Sequence, residues 1–192
     1  TVLITYANAI TSTKKMSPLS SLQKFVSSKC QQFIDTVHIL PFFPSSSDDG
    51  FAVKDYYNID NEFGDWKDII NISKSFRVMA DVVINHGSSE GVWFKNFIKG
   101  EGRGHDYFLS FDNTFDITEV VRPRTSPLLN TFDTHDGTRY LWCTFSKDQV
   151  DYNFNNPKVI NEFVEIILYY LKMGITIFRF DAVAFLWKRI GT

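Results

Sequence analysis

The chain has 192 residues, 44% apolar and 22% charged, enough apolar content to bury a core and too much for a disordered tail or linker. Lys plus Arg number 20 and Asp plus Glu 22, a net charge of −2 with the basic residues scattered, which argues against a nucleic-acid or anionic-membrane surface. The longest apolar run, residues 166–171, is far short of a membrane span, and no leader-like segment opens the chain. Cys30 and Cys143 are too few and too far apart for a zinc site or a disulfide framework, so we expect buried free thiols in a reducing, cytoplasmic setting.

Residues 2–7 (VLITYA) read as a strand, and because this core-like segment starts directly after Thr1, further sequence is expected upstream. Ser17-Pro18 supplies an N-cap and first-turn proline for a helix whose Leu19, Leu22, Phe25, Val26, Cys30 and Phe33 recur every three or four residues. Residues 36–40 form a second strand, stopped by Pro41. Asp65 caps a helix reaching about residue 75, residues 77–84 (RVMADVVI) are a third strand, and a short helix follows around 92–98. Pro157 and Gly174 bracket another striped helix, and residues 175–180 (ITIFRF) are the fourth strand.

Near-continuous apolar strands alternating with helices predict an α/β sheet or barrel of parallel strands. The stretch 100–156 breaks the rhythm with Gly, Asp, Thr and Pro punctuation and short aromatic strands such as 139–145, and reads as an insertion after the third strand.

In such folds the working groups lie where the strands end. Arg179 and Asp181, two apart on a strand, point to one face, where a guanidinium would keep a nucleophilic carboxylate ionised and oriented. The pair reads equally as an ordinary strand-end ion pair. His86, directly after DVVIN, could donate a hydrogen bond to a substrate hydroxyl or serve only as a loop residue. Asp81 lies inside an apolar strand and needs partners, structural or functional. Asp48 and Asp49 followed by Phe51 suit a sugar, carboxylates for hydroxyls and a ring for the apolar face of a pyranose, but the same residues make an Asx-turn.

DVVINH and, about a hundred residues on, FRFDAV resemble the first and second signature regions of the α-amylase superfamily of (β/α)8 glycoside-active enzymes. Beyond them HILPFFPSSSDDGFAVKDYYNID, FGDW, RPRTSPLL, LWCTFSKDQVDYNFNNPKV and FRFDAVAFLWKRIGT are similar to the sucrose phosphorylase branch, which includes glucosylglycerate and sucrose-phosphate phosphorylases. The resemblance covers nearly the whole chain. It implies the N-terminal half of a (β/α)8 TIM barrel, with three βα units over 1–99, a small inserted subdomain over 100–156, and the fourth unit over 157–192.

The activity implied is retaining α-glucosyl transfer through a covalent glucosyl-enzyme, completed by phosphate to give glucose 1-phosphate. By motif position Asp181 is the nucleophile and Arg179 its positioning partner. His86 meets the glucosyl unit, Phe51 stacks on it, and Asp48 or Asp49 binds its hydroxyls, with the register across that pair open. Phosphate needs an anion site, for which RPRTS offers Arg122 and Arg124, the latter preferred. Asn85 matches a calcium-ligand position of many α-amylases, but the phosphorylase branch implies no metal. No cofactor is implied either, inorganic phosphate being a co-substrate, and the partners are a small α-glucoside and phosphate.

A retaining mechanism needs a second carboxylate as acid/base, which the family places on a Glu after the fifth strand, and nothing in these 192 residues matches that motif. The sequence therefore reads as an incomplete piece of an enzyme, inactive by itself. The competing readings are a glucosidase of the same superfamily and a catalytically silent sugar-binding module.

Overall fold

A computed structural model of the chain describes residues 1–13, 15–114 and 116–188. Its frame is a four-stranded parallel sheet in the order β1 (Val2–Thr5), β2 (Thr36–Ile39), β3 (Arg77–Val83) and β9 (Ile175–Asp181). The connections run through α1 (Pro18–Phe25), α2 (Trp66–Ser73) and α4 (Pro157–Lys172), the helical crossovers that parallel strands require.

Each helix starts where its residues dictate. Ser17 accepts the Ser20 amide at 3.1 Å and Pro18 occupies the first turn of α1. Asp65 and Asp68 form a reciprocal capping box on α2, and Asn156 caps α4 ahead of Pro157. Leu19, Leu22, Ile69, Ile72, Phe163 and Ile166 are buried with Val37, Ile39, Val78, Ala80 and Val82 in a single apolar core. Burying each of the large side chains contributes about 1.5–3 kcal/mol.

The first helix is shorter than its apolar spacing predicts. After Phe25 the chain loosens into a π-helical turn, Val26–Cys30, which rotates the following residues off the stripe. Phe33 is consequently exposed, and Cys30 is half-buried instead of buried, while Cys143 is buried and both thiols are free. The first strand also stops at Thr5, two residues early.

The stretch between α3 (Val92–Lys99) and α4 adds a small three-stranded antiparallel sheet and a strand that pairs back just beyond the end of β3. β5 (Ser110–Phe111) and β6 (Leu129–Thr134) flank β7 (Gly137–Trp142), and β8 (Gln149–Asp151) pairs with β4 (His86–Ser88). The β4–β8 pairing has no counterpart in the sequence reading, and it draws the end of the 100–156 stretch back to the mouth of β3. No helix among the described residues is long and apolar enough to cross a membrane.

Candidate active site

The sheet register assembles the polar residues of three strands on one face. His38 pairs with Met79, Asp81 with Arg179 and Val83 with Asp181, so His38, Asp81, Arg179 and Asp181 all project to the same side. Asp81 is fully buried in an apolar strand, where an unpaired carboxylate would be costly. It meets His38 Nε2 at 2.8 Å through Oδ2 and the Arg179 guanidinium through Oδ1. The partners that the sequence requires of Asp81 are thus present, and one of them, His38, has no separate signal in the sequence because a single imidazole in an apolar strand carries no pattern.

Arg179 is shared. Its shorter contact goes to Asp81, and a second guanidinium nitrogen lies 3.5 Å from Asp181 Oδ1, while the guanidinium carbon sits 5.9 Å from the centre of the Phe51 ring. Asp81 therefore anchors the arginine that faces Asp181. Burial pushes the Asp181 carboxyl above its ordinary value; His86 and Arg179 pull it back, and the nearby Asp81 and Asp48 charges add to the upward push.

His86 is buried, and that burial holds its imidazole below the ordinary value and hence neutral at pH 7. Nε2 lies 3.0 Å from the Phe51 carbonyl and Nδ1 lies 3.3 Å from the Asn85 amide nitrogen. Both contacts are satisfied by one tautomer, with Nε2–H donating to Phe51 and Nδ1 accepting from Asn85. The ring and the Asp48–Phe51 loop are thereby joined.

In that loop Asp48 and Asp49 have φ values of 56° and 49°, and Gly50 follows at 101°, where a Cβ would lie 2.8 Å from the Pro41 carbonyl oxygen. Left-handed backbone at two consecutive non-glycine residues costs on the order of 1–3 kcal/mol each and marks a constrained site. The turn separates the two acids. Asp48 Oδ2 accepts the Gln149 amide at 2.8 Å, and the same Gln149 nitrogen lies 3.1 Å from His86 Nε2. Asp49 instead lines a neighbouring cleft of about 420 Å3 with Tyr6, Asn8, Ser45 and Phe63.

Gln149 has no role in the sequence reading. The available signal is that β8 presents Gln149 and Asp151 on either side of Val150 with all three buried, and polar side chains in a buried strand need partners. Asp151 has them: the Asn85 amide at 3.0 Å, the Thr144 N–H and hydroxyl at 2.9 and 2.5 Å, and the Lys188 ammonium at 2.9 Å. Lys188 also donates to Asn85 Oδ1 at 2.9 Å. Asn85, at the position that resembles a calcium ligand, thus already faces a cation supplied by the chain. Among the described residues there is no group of three or more His, Cys, Asp or Glu able to hold a metal.

The two arginines of RPRTS differ sharply. Arg124 is exposed, whereas Arg122 is half-buried, with Nε and one terminal nitrogen buried and without a partner among the described residues. A guanidinium in that state has unspent donors for an anion.

Residues 32–191 match the family described as alpha amylase, catalytic domain. The chain is 44% identical over 191 residues to a glucosylglycerate phosphorylase of Spirochaeta thermophila, covering 100% of this chain and 32% of that protein. It is 42% identical over 192 residues to a glucosylglycerate phosphorylase of Escherichia coli K12, covering 100% of this chain and 34% of that one. The crystal structure of sucrose 6F-phosphate phosphorylase from Thermoanaerobacter thermosaccharolyticum superposes with a TM-score of 0.89 at 31% identity, over 100% of this chain and 41% of that chain. The chain spans about a third of the length of the curated relatives that it matches. Its architecture is that of the N-terminal half of a (β/α)8 barrel.

Proposed function

Because this chain belongs to the α-amylase catalytic-domain family, we propose that it carries the glucosyl-donor half of a retaining α-glucoside phosphorylase, with 1–99 and 157–192 as barrel units and 100–156 as an insertion, residues 14, 115 and 189–192 of these spans lying outside the described ones. The observation that carries the reading is the Asp181 carboxylate, partly exposed at a strand mouth and faced by an arginine that Asp81 anchors. Asp181 attacks the anomeric carbon as the bond to the aglycone oxygen breaks, giving a covalent glucosyl ester. A second carboxylate, outside these four strands, protonates the departing oxygen. Phosphate oxygen then displaces Asp181, and glucose 1-phosphate leaves with the starting anomeric configuration.

Asp48 and neutral His86 meet the glucosyl hydroxyls and Phe51 covers the ring. For His86 this means sharing the Nε2–H now given to the Phe51 carbonyl. Arg122, with unspent buried donors, is a better phosphate ligand than exposed Arg124. The names of the relatives at 42–44% identity favour α-glucosylglycerate over sucrose as the donor. Phosphate is the co-substrate and the reaction calls for no cofactor, in keeping with a cytoplasmic enzyme.

The test is phosphate-dependent release of glucose 1-phosphate from α-glucosylglycerate by the full-length protein carrying this sequence, with sucrose and sucrose 6-phosphate in parallel. Release that requires phosphate supports the reading. Equal release of free glucose with and without phosphate makes the protein a hydrolase, and binding of donor without turnover makes it a silent module.

A further inference from the structure

Asp148 lies outside every role assigned above, yet its carboxylate ties together the three segments that carry the donor-site residues. Oδ2 accepts the Ser46 hydroxyl at 2.6 Å and the Ser47 hydroxyl. Oδ1 accepts the Ser89 hydroxyl at 2.8 Å, the Ser88 hydroxyl at 3.2 Å and the Ser89 N–H at 3.2 Å. The Ser46 and Ser88 oxygens lie 2.6 Å apart, so the single Ser88 proton is divided between Ser46 and the longer contact to Asp148. Ser47 immediately precedes Asp48, Ser88 stands two residues after His86, and Asp148 is the neighbour of Gln149, whose amide donates to Asp48 Oδ2 and lies against the His86 ring.

This arrangement supplies what the loop backbone lacks. Consecutive left-handed residues at Asp48 and Asp49 persist only where their surroundings over-determine them. On one side Gly50 is packed against Pro41, and on the other the Ser46 and Ser47 hydroxyls are fixed to Asp148. Burial alone would raise the Asp148 carboxyl, but the hydroxyls of Ser46, Ser47, Ser89 and Ser88 outweigh it and hold the group below its ordinary value. It is an ionised acceptor filled by this chain's own donors, and none of these contacts is to a group assigned to the sugar.

We propose that Asp148 is a positioning residue of the donor site, a carboxylate clamp that holds the Asp48 loop and the His86 segment at the separation at which both meet one glucosyl unit. The proposal rests on the glucosyl-donor reading above, and its test is comparative, so that it fails separately from that reading. If the unaltered full-length protein turns over no α-glucoside, the donor reading fails. The clamp is judged from variants of a protein that does.

In that protein, Asp148→Asn keeps the size and one acceptor oxygen, so it grips one of the two sides. Asp148→Ala grips neither. The Ser46→Ala/Ser47→Ala pair releases only the Asp48 side and leaves the rest of the clamp bonded. We expect KM for the α-glucoside to rise about tenfold or more in Asp148→Ala and in the serine pair, and less in Asp148→Asn, with KM for phosphate changed less than twofold. Amide hydrogen exchange of residues 48–51 should accelerate in the same order. A lowered melting temperature with the donor KM unchanged would reduce Asp148 to a structural residue and overturn the proposal. So would equal rises in donor and phosphate KM. Should Asp148→Ala fail to fold, the serine pair and Asp148→Asn decide the question alone.

Discussion

Asp181 carries two opposed demands. As the proposed nucleophile it must be charged, and burial pushes its carboxyl above the ordinary value of 3.8. A carboxyl whose folded pKa is raised contributes stability below its unfolded value and loses that contribution as pH rises through the folded one. At neutral pH, ionised Asp181 therefore costs the fold. Asp181→Asn in the full-length protein should abolish glucosyl-enzyme formation, with turnover down by about four orders of magnitude. The same variant should melt a few °C higher near pH 7, the gain fading as pH falls toward 4. Retained turnover would remove Asp181 from the nucleophile role, and an unchanged melting temperature would contradict the charge argument. Several site residues were legible in the sequence, since Arg179, Asp181, Asp81 and His86 stand out as polar residues in apolar strands. His38 in the apolar strand TVHIL meets the same criterion, but only the register sets it beside Asp81, 43 positions away, and Gln149 reaches Asp48, 101 positions away, only through the β4–β8 pairing.

At the scale of elements, the helices show how local rules and tertiary contact divide the work. The caps Ser17 and Asp65 and the helix start at Pro157 could be read directly from residue type and position, because capping is a local event. The π turn at Val26–Cys30 could not, since the apolar spacing continues unbroken to Phe33. Asp68 joins both levels. Besides the Asp65 N–H at 3.2 Å it accepts the Ser17 hydroxyl at 2.9 Å and the Ser20 hydroxyl at 2.5 Å, fastening the start of α2 to the start of α1. Asp68→Ala should therefore destabilise the protein by about 2–3 kcal/mol, against about 1 kcal/mol for Asp65→Ala, whose bonds are confined to its own helix. Denaturant melts of the two variants check this, and equal losses would show that the inter-helix bonds contribute nothing.

For the whole molecule, apolar surface is distributed unevenly. Ile160, Val164, Leu168 and Leu171 form an exposed stripe along α4, Phe180 on β9 and Val183 and Trp187 after it are also exposed, and Val2 and Ile4 are exposed on the opposite edge strand. On the inner face the register places Ile4 beside His38. Apolar stripes such as that on α4 are usually covered in stable proteins. Residues 1–192 expressed alone should bind a hydrophobic dye and self-associate on size exclusion, and Val164→Lys with Leu168→Lys should reduce both. A monodisperse, dye-silent chain would show that these faces tolerate water.

The pairing of β3 with β9 also sets an order in time. Val2 meets Thr36 and Thr36 meets Arg77 within spans of 34 and 41 residues, but Val78 meets Ile175 across 97. Closing the longer span costs more chain entropy, so the first three strands can zip together before β9 docks. During that interval Asp81 sits in a forming sheet with His38 as its only partner from this cluster, and Arg179 arrives last. The strand that brings the proposed nucleophile is thus also the one that brings the buried acid its arginine, and quenched-flow hydrogen exchange should find the amides of residues 175–181 protected after those of residues 36–39.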